Sequence, residues 1–582
     1  MKLKTLSIKN FRNFEDISIE LSNKNVVFGM NDVGKTNLLH AFRFLLDRKI
    51  RDKGFQETDF FQKDINREIE ICLEIDITDH VSDLDSQNII SKMGKVRDAR
   101  NLDTVFIKVR AEFDEDDFFG NPVLFWGNVK EELHEVPRNG TFYELDKLFH
   151  VVYIDPLIDL DKIFVTNRKR IFSRTKTQSD GQVLEDIDSL AEQINEKIAS
   201  MDSVSDFQNI LTNEYKGLKS EDISIVLRSE IVINGVFNDL QPYIVKNTDT
   251  NGRLYPTSGD GRKKMLAYSL LNHLTKEFNS NKAISIFLIE EPENSLHRSM
   301  QISLSKQLFN QEIYDYFVMS THSSEMLYEM DKATLIRLSN EDKVIAKSHL
   351  YRVSNDFSKL KRELNESLTT ALFSDRVLLI EGPSEKVLFE KVLSEVFPNY
   401  ELEGGYILQV EGIKFKPYFK TLTSLGISCI VRTDNDLRET VMGESQLFEY
   451  IGYNRCASLM DDWVNWEKLG NQGFIYIPYE KGNRAEQINL WKITNYAKTQ
   501  DIKTLRQNNI FLSKIDLEND LNEVLYQELN VWRRQKGDAV SYLQKKKMLR
   551  MLKLCDFLKM KDCEKIYNHD LFECLKKLTG EL

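Results

Sequence analysis

Residues 29–36 read GMNDVGKT, a G-x-x-x-x-G-K-[ST] stretch that admits few folds. It needs a buried strand before it and an amphipathic helix after it, so that backbone amides at the helix start face a phosphate. Both flanks are present. Residues 26–28 are an apolar run, and Leu38, Leu39, Phe42, Leu45 and Leu46 recur at helical spacing. Gly29 and Gly34 let the amides wrap a phosphate, Lys35 reaches the terminal phosphates, and the Thr36 hydroxyl is placed for Mg²⁺. This half of the chain is therefore expected to be an α/β nucleotide-binding fold.

More strands are expected around it. Residues 2–21 alternate as two strands about IKNFRNF, with Leu6, Ile8, Ile17 and Ile19 facing inward, and residues 67–77, 105–113 and 122–126 continue the pattern. Either Asp59 or Gln62, in the loop between, could approach the nucleotide metal, but solvated loop residues are the preferred reading. An apolar strand in residues 284–297, ISIFLIEEPENSLH, ends in Glu290, where a Mg²⁺-holding acid is expected, and Glu291, where a water-activating base is expected. Residues 316–319 deliver His322 to the same region; a lone histidine is more often structural, but here it can touch a γ-phosphate. The turn and helix of residues 255–271 offer Ser258 to an anion, a weak signal alone. Residues 168–182 are polar and basic, a loop. Leu184, Ile187, Leu190, Ile194 and Ile198, then Val204, Phe207, Ile210 and Leu211, suggest an inserted helical hairpin that packs either on its own head or on a second copy, self-association being preferred.

The second half is organised around VLLIEGPSEK. Residues 377–380 suit a buried parallel strand, Gly382 and Pro383 end it, and Ser384 is expected to cap a helix starting near Glu385. Glu381 and Glu385 then converge at the crevice where open α/β sheets bind ligands, and two carboxylates there suit a hard divalent cation. The strand of residues 427–431 runs into Asp434 and Asp436, and a third, beginning at residue 510, is expected to end in Asp516, Glu518 and Asp520. Acidic clusters are usually solvated faces, but three that each follow a buried-strand pattern favour metal.

Composition narrows the remaining classes. At 582 residues and 41% apolar content the chain can bury several cores, on the order of three or four domains. The net charge of −12 argues against uniform coating of DNA. Residues 532–577 nevertheless hold 13 basic and six acidic side chains, which fits a DNA backbone track. Trp532, Tyr542 and Tyr567 there are read as packing residues before base-stacking ones. Cys72, Cys429, Cys456, Cys555, Cys563 and Cys574 form no C-x-x-C pair, which argues against a zinc ribbon or disulfide framework. No apolar run approaches about 18 residues and no export signal is evident, so a cytoplasmic protein is expected.

FRNF, GMNDVGKT, SGDG, LIEEPE and STHS, in this order, resemble the ATPase head of the SMC, RecF and ABC superfamily over about residues 1–345. The resemblance implies ATP and Mg²⁺ contacts at Arg12, Asn31, Gly34, Lys35, Thr36, Asn37, Ser258, Glu290, Glu291 and His322, with Ser258 and Gly259 acting on a second copy. One departure is Glu290 where that superfamily usually has Asp. E-G-x-x-E (Glu381, Gly382, Glu385) with D-x-D (Asp434, Asp436) resembles the Toprim domain, which uses Mg²⁺ or Mn²⁺ on phosphodiesters. The two together are similar to the OLD (overcoming lysogenization defect) nuclease family, and most to its Gabija-type nucleases. This implies an α/β chain with an ABC/SMC-like head (1–150 and 246–345), an inserted dimerisation region (151–245) and a C-terminal Toprim part (346–582). By the same resemblance Glu381, Glu385, Asp434, Asp436, Asp516, Glu518 and Asp520 hold two metals. A lysine of residues 545–547, preferably Lys547, assists at the scissile phosphate; Lys545 and Lys546 remain open. The implied activity is an ATP-regulated, metal-dependent endonuclease on double-stranded DNA in antiphage defence, as a dimer or dimer of dimers with a helicase-like partner. The alternatives are an ATP-switched DNA clamp of the RecF/SMC type and a topoisomerase-like enzyme with a tyrosine nucleophile.

Overall fold

A computed structural model describes residues 1–30, 32–93, 98–139, 142–157, 260–279, 283–340, 342–410, 415–442, 445–449, 451–460, 501–534 and 536–582, with short pieces between 158 and 259 and between 461 and 500. It forms two compact units, one of Met1–Ile154, Asn281–Glu293 and Gln301–Leu582, the other of Asp155–Ser280 and Asn294–Met300.

The larger unit begins with alternating strands. β1 (Lys2–Phe11) and β2 (Phe14–Glu20) pair antiparallel, with Leu6 opposite Ile19 and Ile8 opposite Ile17. All four side chains are buried, as their spacing requires. β3 (Lys24–Gly29) and α1 (Lys35–Leu46) flank the glycine-rich loop. β4 (Ile69–Asp76), β5 (Thr104–Asp114), β6 (Phe119–Gly127) and β7 (His134–Glu135) complete an antiparallel sheet in the order β2-β1-β4-β5-β6-β7.

A second sheet takes β8 (Phe149–Ile154), β9 (Ile284–Glu290), β10 (Phe317–Ser320), β11 (Thr334–Asn340) and β12 (Val344–Leu350), in the order β8-β9-β10-β3-β11-β12. Every neighbour pair is parallel except β11 with β12. β9 is buried along its whole length, as a strand covered on both faces must be. Parallel pairing brings the carboxyl ends of β3, β9 and β10 to one edge. The glycine-rich loop, Glu290 and His322 therefore meet there.

The smaller unit is described mainly by α2 (Asp260–Asn279). Asn31, Ser258, Gly259 and most of the expected hairpin, including Leu184, Ile187, Ile194, Ile198, Phe207, Ile210 and Leu211, lie outside the described residues.

In the larger unit α3 (Lys361–Ala371) leads to β13 (Arg376–Ile380), α4 (Pro383–Val396), β14 (Gly405–Gln409) and β15 (Ser428–Thr433). α5 (Ile451–Ala457), β16 (Ile510–Leu512), α6 (Leu517–Val524), α7 (Ala539–Lys545) and α8 (Lys547–Cys555) follow. The sheet runs β14-β13-β15-β16, all parallel. Two expectations are corrected here. Ser384 lies inside the first turn of α4, whose cap is Gly382 with Pro383 as the first helical residue, a place proline suits because its missing N–H would be unpaired anyway. The third strand stops at Leu512, so Asp516 caps α6 and Glu518 and Asp520 sit in that helix's first turn.

Arg432, inside β15, is fully buried. It donates to Asp520 Oδ2 at 2.9 Å and the Leu571 carbonyl at 2.8 Å, stands 3.7 Å from Glu385 Oε1, and lies over the Phe572 ring at 4.8 Å. Arg337 of β11 joins the two sheets of this unit that carry acids, donating to Asp375 Oδ1 at 2.5 Å and the Gly426 carbonyl at 3.1 Å. All six cysteines are buried and unpaired. No helix among the described residues is long and apolar enough to cross a membrane. Arg432→Ala strands two buried carboxylates and is expected to cost about 3–5 kcal/mol, read as a lowered thermal or urea midpoint of the chain.

Candidate functional site

At the head, Lys35 Nζ donates to the Gly29 and Met30 carbonyls at 3.1 and 2.6 Å, so it lies against its own loop. Burial lowers its pKa from the ordinary lysine value. Gly34 has φ +102°, and a Cβ there would lie 2.2 Å from Asn13 Nδ2. That residue must stay glycine because Asn13 braces the loop, donating to the Val33 carbonyl at 2.9 Å. The Thr36 hydroxyl donates to Glu290 Oε1, and the Tyr153 hydroxyl donates to Glu290 Oε2. Arg12 donates to Asn37 Oδ1 at 2.9 Å and Asp59 Oδ1 at 2.8 Å. Asp59 is therefore buried and paired, not the solvated residue its loop position suggested. His322 Nε2 is 3.5 Å from Glu291 Oε1. Its strand end is held by Glu293, which accepts from the His322 amide at 2.6 Å and the Thr321 hydroxyl at 2.9 Å. Glu291 has φ +40°, a strained backbone that points its carboxylate out of the strand line.

The second constellation lies at the carboxyl edge of β13, β15 and β16. Glu385 Oε2 accepts from the amides of Glu381 and Gly382 at 2.8 and 3.2 Å, while its buried Oε1 has no hydrogen-bond donor. Asp434 Oδ1 accepts from the Leu517 amide at 3.1 Å, and Lys547 Nζ stands 3.9 Å from Asp434 Oδ2. Among the described residues neither Lys545 nor Lys546 pairs with this cluster. Glu518 is 1% exposed, and neither of its carboxylate oxygens has a hydrogen-bond partner. Asp516 is differently employed: Oδ1 accepts from the Asn519 amide and side chain, and Oδ2 from Gln544 Nε2 at 2.7 Å. Asp520 is turned to Arg432. Asp436 is half-exposed.

Three cations at this edge carried no signal in the sequence. Arg455 of α5 donates to Glu381 Oε1 and, at 2.6 Å, to Thr433 Oγ1. Lys492 is buried within electrostatic reach of Asp436, Asp516 and Asp434, and burial lowers its pKa. Arg432 completes the set. Each lies far along the chain from its partner, and none stands in a recognisable pattern. The close approach of α5 did leave a trace in Gly452: a Cβ there would lie 2.4 Å from the Asp434 carbonyl oxygen.

As the side chains stand, no three acidic, histidine or cysteine side chains among the described residues close around one ion position. The donor chemistry nevertheless fits a divalent cation. Glu385 Oε1, 3.7 Å from Arg432 Nε, and both Glu518 oxygens are buried with no hydrogen-bond partner, and buried carboxylates are costly without positive charge. Burial pushes Glu385 up to about 7, with Glu381 adding repulsion against the relief from Arg432. Asp434 is raised by burial and by Glu385 and Glu381, and Glu518 is raised by burial. Burial works to lower the Lys547 ammonium, but Glu518, Asp434, Asp516 and Asp436 outweigh it and raise its pKa. A carboxyl raised on folding holds its proton longer than in the unfolded chain, so stability is lost as pH rises from about 5 to about 7.5. The metal-free chain is expected to show that loss in its melting temperature, and Glu385→Gln to flatten the slope; an unchanged slope would show that Glu385 is not raised.

Two domain models match the chain. A AAA ATPase domain matches residues 1–154 and 158–327, and the Toprim domain of overcoming lysogenization defect protein-like proteins matches residues 372–436. Endonuclease GajA of Bacillus cereus (strain VD045) is 46% identical over 585 aligned positions, spanning 100% of this chain and 99% of the relative. The Old nuclease of Escherichia phage P2 is 22% identical, spanning 88% of this chain and 92% of that protein. The DNA replication and repair protein RecF of Lactococcus lactis subsp. cremoris (strain MG1363) is 50% identical over 46 residues, 8% of this chain and 13% of RecF. With an ATPase head, a Toprim domain and 46% identity to endonuclease GajA over its full length, the chain belongs to the OLD nuclease family.

Proposed function

We propose that this chain is a divalent-metal-dependent DNA endonuclease, regulated by ATP at its head and acting on phage DNA in antiphage defence. The observation that carries the reading is Glu518, buried with both oxygens unbonded and within electrostatic reach of Asp516 and Lys547. Burying such a carboxylate without a hydrogen bond is costly, and a divalent cation beside the Lys547 ammonium would offset that cost. In this reading Glu381, Glu385, Asp434 and Asp436 would hold the metal, with Glu518 completing the set. Mg²⁺ or Mn²⁺ held there would supply an activated water and positive charge for the departing oxygen. Lys547 donates to the scissile phosphate as charge builds on it. Asp516, which caps α6, and Asp520, which accepts from Arg432, are the candidates for completing the metal shell.

At the head, Lys35, Thr36 and Glu290 would hold ATP with its Mg²⁺, Arg12, Asn31, Gly34 and Asn37 would contact the nucleotide, and Glu291 and His322 would face the γ-phosphate. Ser258 and Gly259 act on the nucleotide of a second copy, which makes the unit a homodimer or a dimer of dimers. Residues 1–150 and 246–345 form the head, 151–245 the dimerisation insertion and 346–582 the nuclease part. The basic stretch 532–577 tracks double-stranded DNA, in the cytoplasm, with a GajB-type helicase-like partner.

Cleavage of supercoiled plasmid with Mg²⁺ or Mn²⁺, with and without ATP, tests the proposal. Glu518→Gln is expected to lower cutting by about 100-fold or more while DNA binding persists. Lys35→Ala is expected to abolish only the response to ATP. Cutting undiminished in Glu518→Gln would sink the metal assignment, and binding without cutting by the intact chain under every metal and nucleotide condition would favour a clamp.

A further inference from the structure

Helix α5 is held against the D-x-D loop more closely than any side chain but glycine allows. The Gly452 amide donates to the Asp436 carbonyl at 3.1 Å, and an added Cβ would lie 2.8 Å from the Asp436 amide nitrogen. Arg455 lies three residues on, on the same helix face. Its Nη1 donates to Glu381 Oε1 and to Thr433 Oγ1, its Nη2 stands 3.9 Å from Asp436 Oδ2, and its side chain is 8% exposed. Glu381 Oε1 also accepts from the Thr433 hydroxyl and, at 3.1 Å, from the Asp434 amide. Three donors fill that oxygen. A divalent ion bound through it must displace one of them, and the guanidinium, itself a cation between two carboxylates, is the donor that also repels an incoming ion.

We propose that Arg455 fills the cation position between Glu381 and Asp436 when no metal is there, and turns out as a divalent ion enters. Arg455 is then a positioning residue that keeps Glu381 aimed and its charge balanced in the resting enzyme, and that sets metal affinity at this position. The inference rests on the metal-binding reading of the Toprim acids given above.

Two measurements on the nucleotide-free full chain test it, with Mn²⁺ alone as the probe. Free Mn²⁺ is counted by electron paramagnetic resonance in titrations of wild type, Arg455→Gln, Arg455→Lys and Asp434→Asn. Loss of binding in Asp434→Asn identifies the Toprim ions. For those ions Arg455→Gln is expected to lower the dissociation constant about tenfold, with Arg455→Lys near wild type. In wild type alone, so that no variant need fold, phenylglyoxal labelling of Arg455 followed by mass spectrometry is expected to speed up when Mn²⁺ is added. Unchanged or weaker Mn²⁺ binding in folded Arg455→Gln, or labelling that Mn²⁺ leaves unchanged or slows, overturns the proposal while the metal site stands. If Asp434→Asn leaves Mn²⁺ binding intact, the metal reading fails and this proposal falls with it.

Discussion

Carboxylates crowded at the buried edge of a parallel sheet repel one another, and the Toprim half of the chain is built around that repulsion. Parallel pairing of β13, β15 and β16 sends Glu381, Asp434 and the cap of α6 to the same edge. No sheet of this kind can avoid the crowding once each strand ends in an acid. The structure answers with cations from below and above. Arg432 lies within the sheet against Glu385 and Asp520, and Lys547 and Arg455 approach from helices beyond its edge. Among the described residues at this edge Glu518 alone has no hydrogen-bond donor on either oxygen, and burial raises the pKa of Glu385, Asp434 and Glu518.

The head uses the same edge logic with a different outcome. β3, β9 and β10 deliver the glycine-rich loop, Glu290 and His322 to one side of their sheet. Here the acid is already satisfied: Glu290 takes the Thr36 and Tyr153 hydroxyls, and Glu293 ties down the His322 amide. The departure from Asp to Glu at position 290 fits this arrangement, because the longer side chain spans from β9 to both hydroxyls. One site is thus braced by neutral donors and the other by full charges. Arg337, paired with Asp375 just before β13, links the strand beside the glycine-rich loop to the strand that ends at Glu381.

The strands that carry chemistry were legible because buried parallel strands are continuous apolar runs and their acids stand at the end of each run. Residues 26–28, 284–290 and 377–381 could be read in this way. Fine placement was not legible. Ser384 looked like a cap by residue type, yet Gly382 takes that position because Pro383 can open the helix without an N–H. Asp59 looked solvated by its loop, yet Arg12, 47 positions earlier, buries it. Arg432, Lys492 and Arg455 stayed hidden because an isolated basic residue reads as surface until its partners, dozens of positions away, are folded against it. Asp516, Glu518 and Asp520 read alike in sequence; only helix geometry separates a cap, an orphaned carboxylate and a partner of Arg432.

The most direct measurement is anomalous diffraction from crystals of the nucleotide-free chain grown with Mn²⁺. The expected result is one or two peaks at the Toprim edge, each within about 2.3 Å of carboxylate oxygens from Glu385, Asp434 or Glu518. Peaks confined to Thr36 and Glu290, with Glu518 still buried and unbonded, would contradict a metal-dependent nuclease site built on these carboxylates.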